Sequence, residues 1–272
     1  MVLFYRKALF VCIVSAVYFD AATAFAVESP EAAPGVETPI FVQNGELDVD
    51  AAVAYFEDLY LSNSSIAEME MTIVRPRRTH TMGMRAWTEG RDKSLVEIQS
   101  PPRDRGTATL KVDNNLWNYM PRIQRTVRVP PSMMLTSWMG SDFTNDDLVR
   151  EASMVDDYDY ETLGPSEDPK GWQVLFTAKP DMVGLWNKIE LILNEDGAMP
   201  VKATYYDRRD RLARTLYWED VRVFDGRKLP ARMTLVPEDE EGNKTVLHYK
   251  DLQFNTDLPR DLFSLSRLER GE

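Results

Sequence analysis

Cysteine and histidine are almost missing from this sequence. Cys12, His80 and His248 are all that 272 residues supply. Cys12 lies in an apolar run near the N-terminus and lacks the small residue before it that lipidation needs. A chain cut after that run has no disulfide, thiol nucleophile or thiolate metal site. Neither histidine stands at a metal-ligand spacing, and no G-x-S-x-G, H-E-x-x-H or phosphate-binding glycine loop occurs. An enzyme would need a triad assembled in space around His80 or His248. We therefore expect no catalytic residues, no metal and no cofactor.

Basic charge is also short. Thirty-two Lys and Arg face 44 Asp and Glu, a formal net charge of −12. Such a chain repels phosphate backbones, so nucleic acid is not an expected partner. Long apolar runs are absent too. The one near the start, 8–19, follows Arg6 and Lys7 and is too short to span a bilayer. Ala24-Phe25-Ala26 fits a signal-peptidase site, so residues 1–26 read as a cleaved secretory signal, with an N-terminal anchor as the other reading. Residues 27–46, rich in Pro, Ala and Glu, read as a disordered leader. Residues 47–272 read as one domain, because no linker-like stretch divides them.

What is present is alternation. Ala67, Met69, Met71 and Ile73 alternate with Glu68, Glu70 and Thr72; Met82, Met84 and Ala86 alternate with Gly83, Arg85 and Trp87. That is the period of a half-buried strand. Further strands are predicted at 95–98, 108–112, 116–120, 123–129, 158–163, 172–178, 185–193, 201–206, 212–224, 230–236 and 244–254. Turn signals such as Asn194-Glu195-Asp196-Gly197 and Asp225-Gly226 separate them. A helix is predicted at 48–61, capped by Asp48 or Asp50, and a short one within 261–272. The fold class is mainly β (α+β): a single curved antiparallel sheet forming an unclosed half-barrel, since so many strands must curl to cover a core.

One stretch, 130–151, breaks the pattern. Pro131, Met134, Leu135 and Trp138 fall at i, i+3, i+4 and i+7, which predicts a helix over 131–139 stopped by Gly140. Thr144 can cap a second helical turn, with Asp146 and Asp147 at its positive end. The expected role is a helical lid over an apolar cavity. Methionines occur in pairs, Met69/Met71, Met82/Met84 and Met133/Met134. Methionine packs adaptably, which suits walls that receive flexible chains, although ordinary core packing would use it as well. Trp117 and Tyr119 either line the cavity or pack the sheet. The candidate cavity and lid set is Met69, Met71, Met82, Met84, Trp117, Tyr119, Met133, Met134, Leu135, Trp138 and Met139. Arg85, Arg91, Arg122, Arg125 and Arg128 are rim candidates or a solvated strand face. An arginine near the mouth could latch the lid through its last carbonyls or Asp142. Asp157, Asp159 and Glu161 share a strand face but lack the glycine turn and carbonyls of a calcium site, so they read as solvated.

The chain resembles the outer-membrane lipoprotein-sorting protein family, the LolA-like periplasmic carriers. The resemblance rests on Trp87 and Arg91, on Ser100-Pro101 and Arg105-Gly106-Thr107, on Leu116-Trp117-Asn118-Tyr119-Met120-Pro121, and above all on Met139-Gly140-Ser141-Asp142-Phe143-Thr144-Asn145-Asp146-Asp147-Leu148. It implies a LolA/LolB-like half-barrel with helices plugging the open side and an interior that takes lipid acyl chains. It also implies a monomeric, non-enzymatic carrier in the periplasm. Its implied partners are lipoprotein or lipid acyl chains, an inner-membrane transporter of the ABC or resistance-nodulation-division type, and an outer-membrane acceptor. Arg91 falls near the position of the arginine that latches the lid in such carriers, and Asp142 is the carboxylate it could meet. An alternative role is a lipid- or lipoprotein-sensing accessory module of a resistance-nodulation-division type exporter.

Overall fold

A computed structural model describes residues 36–149, 154–180, 182 and 184–270, all within the compact unit Ala33–Glu272. The expected signal, 1–26, and residues 27–35 of the leader lie outside them. The chain becomes regular earlier than its composition suggests. Val42–Gln43 (β1) and Glu46–Leu47 (β2) pair around Asn44-Gly45. Both turn residues adopt positive φ, which this dipeptide accepts at little cost. Helix α1 follows at Val49–Asp58, its N-cap Asp48 accepting from the Ala51 N–H.

Thirteen strands then form one antiparallel sheet. They are β3 (Ser64–Arg75), β4 (Arg78–Glu89), β5 (Lys93–Ser100), β6 (Ala108–Val112), β7 (Asn115–Met120) and β8 (Arg125–Arg128). After an irregular segment come α2 (Asn145–Val149), α3 (Met154–Asp157), β9 (Tyr158–Glu167), β10 (Lys170–Ala178) and β11 (Trp186–Leu193). The chain ends in β12 (Pro200–Asp207), β13 (Leu212–Phe224), β14 (Arg227–Pro237), β15 (Lys244–Phe254) and α4 (Leu265–Arg270).

The spatial order is β8-β7-β6-β5-β4-β3-β15-β14-β13-β12-β11-β10-β9. Every neighbour but one follows in sequence; the exception is β15 against β3, which sets the last strand in the middle. The two end strands, β8 and β9, do not pair among the described residues, so the sheet curls without closing. This is the unclosed half-barrel expected from the strand count.

The concave face carries most of the core. One cluster joins Met69 and Met71 of β3 to Met82 and Met84 of β4 and to Trp138. A second joins Phe176, Leu191, Trp218 and Leu235 to Ala52 and Val53 of α1. On the convex face, Leu262 and Leu268 of the C-terminal segment cover Leu95, Leu110 and Tyr119.

The predicted helix over 131–139 is not formed. Only Pro131–Met133 makes a single 3-10 turn. From there the chain folds back on itself as an irregular hairpin. Asp146 donates to the Met134 carbonyl (2.8 Å), Asn145 to Thr136 (3.0 Å) and Trp138 to Phe143 (2.8 Å), with a bridge between Ser137 and Thr144. The polar residues explain it. The Thr136 hydroxyl bonds the Met133 carbonyl and the Ser137 hydroxyl bonds that of Ser141. Such side chains offer the backbone a non-helical alternative. Met139 and Gly140, both at positive φ, make the reversal. The second expectation holds: Thr144 caps α2, its hydroxyl accepting from the Asp147 N–H at 3.2 Å.

Candidate functional site

The hairpin 134–146 lies across the hollow and fills it from the mouth. Trp138 is buried among the β3 and β4 methionines, and Met139, Phe143 and Leu148 pack on the same cluster. Phe143 also touches the second cluster, so it joins the two halves of the core. The Trp138 indole donates to the Thr109 hydroxyl (3.0 Å), which donates to the Asn118 side-chain oxygen (2.8 Å). These are the partners a buried Trp and Thr need.

Three polar anchors hold the plug. Arg75, at the end of β3, reaches both Asp142 oxygens (3.0 and 3.1 Å) and the Gly140 carbonyl (3.1 Å). The fully buried Thr245 of β15 donates to Asp142 (2.6 Å) and accepts from its N–H (2.9 Å). On the other side, Arg214 of β13 forks onto Asp147 with two 2.7 Å bonds. Its guanidinium lies over the rings of Trp186 (4.3 Å) and Tyr205 (4.5 Å). The third anchor is buried Asn145, whose amide donates to the Met133 carbonyl (3.0 Å) and ties the hairpin to the 3-10 turn.

Electrostatics favour the charged forms of both Arg214 and Asp147. Burial alone would raise the Asp147 carboxyl. The Arg214 charge and hydrogen bonds, with the Thr144 donors, outweigh burial and hold the carboxyl below its usual value. Burial likewise works against the Arg214 charge, and Asp147 more than restores it. The Tyr205 hydroxyl is pushed up by burial against the opposing field of Arg214, so that ring stays neutral.

The structure brings together six of the eleven apolar candidates: Met69, Met71, Met82, Met84, Trp138 and Met139. The other five lie elsewhere. Met133 and Leu135 are 50% and 53% exposed, and Met134 packs on Leu116 and Val129. Without a helix, the spacing that would have aimed them inward does not apply. Trp117 and Tyr119 pack with Leu262 and Leu268 on the convex face, opposite Leu116 and Asn118. Arg91 does not reach Asp142. It bonds Asp58 (3.0 Å) and approaches Glu57 (3.9 Å) at the end of α1, and Arg75 takes the place beside Asp142. His80 faces Asp104 and His248 faces Asp220, each without a hydroxyl nucleophile among its described partners.

A cavity of about 290 Å³ opens beside the plug. Ile73, Met82 and Ile98 form its floor and Met139 one wall, with Arg78, His80 and Arg103 at its mouth. Ligand pockets commonly run from ~300 to ~1,000 Å³. A long hydrocarbon chain therefore fits only if the plug gives way.

A half-barrel stoppered in this way defines a LolA-like fold, and comparison with solved structures agrees. A family protein of the DUF1329 group from Desulfovibrio piger superposes with TM-score 0.72 at 25% identity, over 81% of this chain and 98% of that one. A putative outer-membrane lipoprotein-sorting protein domain from Vibrio parahaemolyticus gives 0.68 at 23%, over 81% and 96%. A LolA superfamily protein from Nitrosomonas europaea gives 0.67 at 22%, over 81% and 99%. The last two establish the fold alone. No curated protein sequence matches. A protein-family model described as "uncharacterized protein" matches residues 90–270, and the chain belongs to that family.

Proposed function

We propose that this protein is an exported carrier. It shelters acyl chains of lipids or lipoproteins in the hollow of the sheet, across the periplasm between an inner-membrane transporter and an outer-membrane acceptor. The observation that supports this most is the plug: Trp138 and Phe143, on one irregular hairpin, occupy the apolar hollow that a hydrocarbon chain would need. A ~16-carbon chain left in water costs roughly 12 kcal/mol, at ~0.8 kcal/mol per CH₂. Lifting two aromatic side chains out of the hollow costs about 1.5–3 kcal/mol each. Exchange of plug for cargo is therefore favourable yet reversible. Methionine walls can close on either occupant without strain.

The test is mass spectrometry of gently purified protein, joined to uptake of a fluorescent fatty acid. Co-purifying lipid or lipoprotein and saturable uptake are expected. Repeated absence of both defeats the reading. Trp138→Ala removes an aromatic side chain that competes with cargo for the hollow and is expected to strengthen uptake about tenfold, with the sheet's circular dichroism unchanged. Unchanged uptake would remove Trp138 from the site.

A further inference from the structure

We infer that the cargo is an anionic amphiphile, with its charged head held at the mouth of the cavity by Arg78 and Arg103. The inference rests on the carrier reading and deepens it.

The placement follows from strand periodicity. Ala86, Met84, Met82, His80 and Arg78 are alternate residues of β4 and share its concave face. Ala67, Met69, Met71, Ile73 and Arg75 do the same on β3. Both rows run from buried hydrocarbon to cation as they leave the hollow. Arg75 is committed to the plug. Arg78 is not: it is exposed, and among the described residues no carboxylate is paired with it. Arg103, from the turn after β5, enters the same mouth. One carboxylate is present, Asp104, whose Oδ2 lies 3.1 Å from both His80 Nε2 and Arg103 Nε. Two arginines against one carboxylate leave the mouth positive, in a chain whose net charge is −12. In an acidic protein such a cluster above an apolar floor is a local reversal of field, which favours an anion.

The two halves of the site select jointly. An inorganic anion would leave Ile73, Met82 and Ile98 unused. A neutral hydrocarbon would leave the arginines unused. A chain ending in a carboxylate or phosphate uses both, its tail on the methionine floor and its oxygens on the guanidinium donors, which suit such planar oxygen pairs.

The experiment compares three probes of equal chain length: palmitate, hexadecyl phosphate and hexadecanol, titrated into the full-length protein by competition with a fluorescent fatty acid. The unaltered protein is expected to bind at least one anionic probe about tenfold more tightly than hexadecanol. Whichever anion is preferred identifies the head as carboxylate or phosphate. The double variant Arg78→Gln/Arg103→Gln is expected to bring that ratio close to one while hexadecanol binding and the unfolding midpoint stay unchanged. Hexadecanol binding as well as the anions, or an anionic preference that survives the double variant, overturns the headgroup site and leaves the carrier standing. No binding of any probe overturns both.

Discussion

The two walls of the hollow hold the same plug by different chemistry. On one wall β3 and β4 present methionines, and the fastening is Arg75, whose donors spread over Asp142, the Gly140 carbonyl and the Val74 carbonyl. On the other, β10 to β13 present Phe176, Trp186, Tyr205 and Trp218, and the fastening is a two-pronged Arg214–Asp147 pair lying against aromatic rings. The first wall is soft and its anchor is distributed. The second is stiff and its anchor is concentrated in one pair. If the plug opens as the proposed carrier role requires, the concentrated Arg214–Asp147 pair would keep α2 as the hinge, and the Asp142 turn, next to the cavity, would be the edge that yields.

The largest expected effect comes from breaking the concentrated anchor. Asp147→Ala removes both bonds to Arg214 and the Thr144 capping contacts, and leaves a guanidinium uncompensated between rings. It is expected to cost about 3–5 kcal/mol in urea unfolding. The double variant Asp147→Leu/Arg214→Met is expected to recover most of that loss, since apolar replacement of a buried pair is often near neutral. If Asp147→Ala changes stability by less than Asp142→Ala, the assignment of hinge and yielding edge is reversed.

The same anchor sets a pH dependence. The Asp147 carboxyl is depressed in the folded state, so its contribution is fully present above the unfolded carboxylate value, about 3.9. It is lost as pH falls through the folded value. Unfolding free energy is expected to be level between about pH 7 and 5 and to fall below about pH 4. The Asp147→Leu/Arg214→Met variant should show a shallower fall. Equal acid sensitivity in the two proteins would assign the loss to other carboxylates.

At the distributed anchor the effect is smaller. Asp142→Ala frees Arg75 from one partner but leaves it carbonyl acceptors, and costs about 1–3 kcal/mol, mostly through the stranded hydroxyl of Thr245. Amide exchange should quicken in 139–144 and not in α2. Uniform quickening would mean that the plug moves as one piece.

Much of the sheet was legible because its signal is local. Alternation at 67–73 and 82–87, with β-rich stretches set between turn signals elsewhere, located all thirteen strands of the large sheet, 108–112, 212–224 and 244–254 at their observed limits, and Asp48 and Thr144 announced their caps. The site was legible only in part. The 139–148 motif stood out, but its partners Arg75, Arg214 and Thr245 are 67 or more residues away in the chain, and nothing local marks them. The failed helix at 131–139 has the opposite cause. Its apolar spacing fitted a helix, while hydroxyls at Thr136 and Ser137 and the tertiary pull on Trp138 and Asp142 favoured a hairpin. Trp117 and Tyr119 had the right period, but alternation does not say which face of the sheet is concave.

The hairpin's own two sides give the smallest expected effect. Trp138 and Phe143 face the hollow, whereas Met133 and Leu135, equally apolar in sequence, are half exposed. Replacing an exposed side chain away from caps and ion pairs changes stability by no more than ~0.5 kcal/mol. Met133→Ser and Leu135→Ser should therefore leave both the unfolding midpoint and fatty-acid uptake in solution near those of the unaltered protein. A helical lid with Leu135 turned inward predicts the contrary, a loss of about 1.5–3 kcal/mol for a buried leucine. A loss of that size at Leu135 alone would restore the helix and move the plug's inner face by several residues.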